Sequence, residues 1–262
     1  MPLIGSFKTL LLRGLLAGLI AGLLAATVGY FVGEPQVDAA IAIEEAAAAP
    51  AEHGHEAAEP QGHSHGDEDE PLVSRSGQKA GQFLALGLAG MAFGALFAAA
   101  VNTGRRFTTL TGPQLSLLAA GFAWAAIVAV PFFKYPANPP AVGDPETINE
   151  RTWLWVAAVA LGLLAVAAAV AAYKALAGQL DTLRLIVSVA AFVLVTTVGY
   201  ILLPGVNEVA DDFPATLLWQ FRVASLAETT TLWVSLGLAF AALTEFASRR
   251  STPVAEQVAT AG

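Results

Sequence analysis

Apolar residues gather into six runs along this chain, at about 9–32, 82–101, 115–133, 153–173, 185–203 and 225–246. Each is close to the roughly 20 residues that a helix needs to cross about 30 Å of hydrocarbon. The pattern predicts an all-α fold: a polytopic membrane helix bundle of about six transmembrane helices, forming one integral membrane domain over residues 1–262. A long polar loop follows the first run. The opening, behind Lys8 and with Arg13 inside the run, is shared by secretory signals. This run is longer than a usual signal core, so it reads as a retained span. The last run is the least regular, with Glu228 and Thr229, Thr230 and Thr231 in its first third.

Local residue choice refines the runs. Gly14, Gly18 and Gly22 recur every fourth position, as do Gly29 and Gly33, a small-residue stripe that lets a neighbouring helix approach closely. At Gly33, Glu34 and Pro35 a helix is expected to stop and a second, polar helix to start, since glycine suits the end of one helix and proline the first turn of the next. In the second helix Glu34, Asp38 and Glu45 share a narrow stripe, which either hands cations toward the bundle or is a solvated face. From 46 to 78 large apolar residues are almost absent, and the segment is expected to be a flexible loop that cannot offset its ordering entropy. Residues 134–148 carry Pro136, Pro139, Pro140 and Pro145 and are expected to be stiff and extended. A second outer segment, 203–222, opens with a Pro-Gly turn.

Composition agrees with a membrane protein: 56% of residues are hydrophobic, 13% are charged, and the mean hydropathy is +0.62. The net charge of −8 argues against nucleic acid, but its distribution says more than its sum. With the amino terminus inside, the inner segments hold eight Lys and Arg, and the outer ones five Lys and Arg beside seventeen acids. The excess of inner cations places both termini in the cytoplasm. Tyr30, Phe132, Phe133, Tyr135, Trp153, Trp155, Tyr200, Phe213 and Trp219 then lie near the outer ends of spans, as an aromatic belt requires.

Candidate chemistry follows from that orientation. All four histidines, His53, His55, His63 and His65, fall in the outer loop with seven acids between 52 and 70. In extended backbone each i, i+2 pair points two imidazoles the same way, a geometry that suits a divalent transition metal. No cysteine is present, so any metal chemistry uses imidazole, carboxylate and backbone oxygen. The outer segments present Asp144 and Glu146, and Asn207, Glu208, Asp211 and Asp212, oxygen donors at the bundle mouth that attract cations or are polar because they are wet. Glu228 is the acid placed within a span, where a carboxylate is costly and functional by default, unless the span starts late and leaves it at the interface. A span starting near 217 takes in Arg222, which then pairs with Glu228 through a neighbour. Ser188, Thr196, Thr197 and Ser235 are candidates for interhelical hydrogen bonds. There is no phosphate-binding G-x-x-x-x-G-K-[ST] loop, and no enzyme constellation of nucleophile, base and cofactor.

The segments LLLRGLLAGLIAGLLA, GEPQVDAAIAIEEA, the His/acid loop, FFKYPANPPAVGDPETI and LPGVNEVADDFPATLLWQFRVASL together resemble the CbtA proteins, proposed cobalt transporter subunits of bacteria. The resemblance implies an inner-membrane protein that takes up Co²⁺ for cobalamin synthesis beside a small single-span subunit, CbtB. It implies no permanently bound cofactor, the metal being cargo. Intrinsic affinity does not choose the metal, since N/O sites take nickel or zinc as well. The alternative from another class is a non-transporting metal sensor or assembly scaffold.

Overall fold

The computed structural model describes residues 3–48 and 73–250, and every regular element among them is helical. Helix α1 (Phe7–Val28) starts at Ser6, whose hydroxyl accepts from the Thr9 N–H. Beyond the polar loop come α3 (Arg75–Gly104), α4 (Gly112–Trp124), the short α5 (Val130–Lys134), α6 (Ile148–Ala175), α7 (Asp181–Leu202) and α8 (Ala215–Arg250). Six helices are long and apolar enough to cross a membrane: Phe7–Ala47, Arg75–Phe107, Gly112–Lys134, Pro145–Ala175, Asp181–Leu202 and Ala215–Ala247. Successive spans alternate in direction, so residues 29, 82, 135, 148, 208 and 228 share the end of the bundle called outer above.

The first helix does not stop at Gly33. It runs through a π-turn, Gly29–Gly33, into α2 (Glu34–Ala48), and the Glu34 N–H bonds back to the Gly29 carbonyl. The reason lies at Pro35, which has no N–H to donate and whose ring would strike the carbonyl four residues earlier. One wide turn ahead of the proline moves that carbonyl aside, and the helix continues. The third span repeats the device. A π-turn, Ala125–Ala129, precedes Pro131 and joins α4 to α5. Helix also extends into both ends of the expected loop, to Ala48 and from Arg75 onward, and the last span begins at Ala215 rather than near 225.

Close packing of α1 on α3 organises the bundle. A Cβ added at Gly14, Gly18 or Gly22 would stand closer than 3.0 Å to the carbonyls of Gly94, Gly90 and Leu86, and α3 returns the contact at Gly90 and Gly94. At Gly14, Gly18 and Gly22 the expected stripe is thus an antiparallel backbone-to-backbone seam, whereas Gly29 meets side chains and Gly33 has nothing within 4 Å. On the other side of α1 lies α8, which packs on α4; α6 then meets the π-turn of the third span, with Gly162 against Ala126, and α7 lies outermost on α6. Leu10, Phe97, Val101, Leu236 and Phe240 fill an apolar core in the inner half, where the Phe97 and Phe240 rings meet edge to face at 5.3 Å. Just outward, Phe93 and Trp233 pack at 5.6 Å.

Candidate functional site

Above this aromatic packing the interior turns polar. Glu228 on α8 and Gln82 on α3 both lie against Gly29: a Cβ there would meet the Glu228 Oε2 and Gln82 Nε2 atoms closer than 3.0 Å. Glycine at 29 makes room for a carboxylate and an amide beside a widened helical turn. The Gln82 Oε1 atom is buried and has no hydrogen-bond partner, and Glu228 lies close enough to Glu34 for the two charges to repel.

Glu34 and Asp38 also face inward to α3. Arg75 pairs with Glu34 through Nη2 and donates from Nε to Asp38 Oδ1 at 2.9 Å. Lys79 reaches Asp38 Oδ2 at 2.8 Å and Glu34 Oε2 at 3.8 Å. The two acids and the two cations are each four residues apart on helices held together by the glycine seam, so the rows match. Cations of α3 thus occupy the carboxylate stripe at Glu34 and Asp38, while Asp38 and Glu45, farther along α2, are exposed.

A second group forms the outer cleft. Residues 134–148 do not run extended: positive φ at Ala141 (65°) and Gly143 (120°) fold them into a turn that buries Pro139 and Val142. Asp144 accepts the Glu146 N–H and caps the 3-10 turn Pro145–Thr147. Glu208 ties the two outer segments together, accepting from the Asp144 N–H at 3.1 Å and from Thr147 Oγ1 at 2.5 Å and forming an ion pair with Arg151, whose Nη1 lies 3.3 Å away. Tyr135 donates its hydroxyl to the Pro204 carbonyl at 2.8 Å, and burial pushes that hydroxyl above its usual range. Asn207 lines the cleft, while Glu146, Asp211 and Asp212 are exposed beside it.

Arg222 does not pair with Glu228. Six residues on one helix leave the two side chains about 120° apart around the axis, and Arg222 instead donates to the Ala137 carbonyl and, at 2.9 Å, to Asn138 Oδ1. Ser188 bonds within its own helix, to the Arg184 carbonyl, and Thr196 Oγ1 is buried without a partner. Interhelical bonds form instead from Trp124 Nε1 to Thr230 Oγ1 at 2.9 Å and from the Tyr200 hydroxyl to the Val130 carbonyl. His53, His55, His63 and His65 lie outside the described residues. Among the described residues no three His, Asp or Glu side chains stand together as a ready-made metal cage.

A family model described as probable cobalt transporter subunit (CbtA) matches residues 7–245, nearly the whole chain. This chain belongs to the CbtA family. No significant match was found among curated proteins or among solved structures. This CbtA-family protein is thus a multi-pass membrane protein and a probable cobalt transporter subunit. Of its predicted site residues, the fold sets Glu34 and Glu228 at the π-turn of the first span, while Glu208 lines the outer cleft and accepts from the Asp144 N–H. Gln82, Arg75 and Lys79 were missed by sequence reasoning. Arg75 and Lys79 had left a signal, the same four-residue spacing as Glu34 and Asp38; Gln82 left none.

Proposed function

We propose that this chain conducts a divalent cation, Co²⁺ first among them, inward across the bacterial inner membrane, with both termini cytoplasmic. The observation that carries the reading is Glu228, an intramembrane carboxylate set beside Glu34 and the unpartnered Gln82 Oε1 at the π-turn of the first span. A carboxylate in a low-dielectric interior is costly without a counter-charge, and a divalent cation beside it supplies one. Such an ion keeps part of its water shell, because three oxygen-bearing side chains are fewer than its ligand number.

The sequence supplies the approach. His53, His55, His63 and His65 gather the metal from dilute solution, and the exposed Glu146, Asp211 and Asp212 add to the negative field at the mouth. Asp144 and Glu208 hold the two outer loops together. Glu34 and Asp38 receive the ion by exchanging their bonds to Arg75 and Lys79 for bonds to metal. The membrane potential drives the movement: about 2.3 kcal/mol per charge per 100 mV, hence about 4.6 for a divalent ion. A small single-span CbtB-like subunit is the partner, and nickel or zinc are the competing cargoes.

Uptake of radioactive cobalt by cells expressing wild type, Glu228→Asp or Glu228→Gln tests this. Glu228→Gln, which keeps shape and removes charge, is expected to cut the maximal rate about tenfold or more, equivalent to about 1.4 kcal/mol in the barrier. Glu228→Asp is expected to retain a measurable part. Full uptake by Glu228→Gln would overturn the role. The aromatic packing beneath the site favours a second reading, a sensor or scaffold that binds metal without passing it. Purified protein in liposomes separates the two, since a scaffold binds cobalt and shows no flux.

A further inference from the structure

The outer cleft has the chemistry of an anion site. It encloses about 450 Å³ between the two outer segments and the starts of α6 and α8, and its walls combine Tyr135, Trp155 and Ile148 with Asn138, Arg151 and Arg222. Its acid, Glu208, is already engaged by Arg151, Thr147 and the Asp144 N–H. Arg222 is different. Both of its partners are neutral, the Ala137 carbonyl and Asn138 Oδ1, and among the described residues no carboxylate pairs with it. Arg151 also keeps a buried Nε without a partner. A partly buried guanidinium without a counter-charge is unfavourable unless an anion completes it, and the planar fork of arginine suits an oxyanion.

The position of the cleft narrows the class. Trp153 and Trp219 stand 72% and 64% exposed on the two helices that supply Arg151 and Arg222, the placement of indoles at a membrane–water interface. We propose that this cleft binds a phosphate group, with Arg222 as its principal contact and Asn138 holding the guanidinium in place. The same chemistry comes from two sources, the headgroup of an anionic phospholipid or a soluble phosphate. The site is separate from the Glu34 and Glu228 pair, and its arginines make it a poor passage for a cation.

The test uses the purified full-length protein. Native mass spectrometry reads retention of added phosphatidylglycerol; thermal shift reads inorganic phosphate and glycerol phosphate against chloride at matched ionic strength. Wild type is expected to hold one phosphate-bearing ligand per chain, and Arg222→Gln to weaken it about tenfold. Ile148→Trp adds bulk to the cleft wall while keeping both arginines, and is expected to abolish binding. It decides the matter if Arg222→Gln does not fold. A response in the lipid arm alone assigns the site to headgroups, and a response to soluble phosphate assigns it to a free anion. Absence of binding in both arms, or binding undiminished in the folded variants, overturns the proposal.

Discussion

Replacing Gly18 by alanine puts a methyl into the tightest part of the α1–α3 seam. Its Cβ would stand closer than 3.0 Å to the Gly90 carbonyl oxygen and carbon, whereas ordinary contact begins at 3.4 Å. The obstacle is backbone, so no rotamer change relieves it, and the helices must part by about an ångström or more. A gap of about that size forfeits roughly a quarter to a half of each dispersion well it opens. Over-packing of this kind typically costs about 1–3 kcal/mol. Gly121→Ala is the matched control: nothing lies within 4 Å of its added Cβ, and removing a helix-interior glycine is worth about 0.5–1 kcal/mol in the other direction. Reversible unfolding in mixed micelles, followed by far-UV circular dichroism, measures both. Gly18→Ala should lower the midpoint, while Gly121→Ala should leave it unchanged or raise it. A Gly18→Ala protein as stable as wild type would refute the seam as the organising contact.

Gly29→Ala should behave differently from Gly18→Ala, because its added methyl meets the ends of the Glu228 and Gln82 side chains, which can swing away. The expected result is near-normal stability with cobalt uptake reduced severalfold, read from unfolding and transport assays on the same preparation. Glu208→Gln leaves Arg151 without its charge partner and weakens the tie between the outer segments. With both groups partly exposed the expected loss is about 1 kcal/mol, measured by the same unfolding transition. Deleting residues 52–70 should raise the half-saturating cobalt concentration more than it lowers the maximal rate. In wild type that concentration should rise as pH falls below about 6.5, because a protonated imidazole cannot ligate metal. The deletion should flatten that acid-side rise, and a deletion protein with the wild-type pH profile would count against capture by the histidines.

Six spans and their alternation were legible in the sequence because each apolar run is long enough to fix a helix across hydrocarbon by itself. The glycine stripe at 14, 18 and 22 was equally legible, since small residues every fourth position lie on one face. The helix stop at Gly33 was not. Local rules for glycine and proline describe chain ends, and here a π-turn absorbs the proline within a helix that packing keeps continuous on α3 and α8. The start of the last span was left open between about 217 and 225 for a related reason: Arg222 and Glu228 interrupt its hydropathy, yet each is placed by a different neighbour.

The sequence by itself determined which segments are long and apolar enough to cross the membrane, which loops carry the acids, and which side chains are costly to bury there. Those properties depend on composition and period within one segment. Only the tertiary structure decided that Glu34 stands beside Glu228, that Arg75 and Lys79 occupy the carboxylates of α2, and that Arg222 turns to the outer cleft. These pairings join residues 37 to 194 positions apart, and no property of a single helix sets them. They follow from how close the glycine seam draws α1 to α3 and from which face of α8 then meets the π-turn.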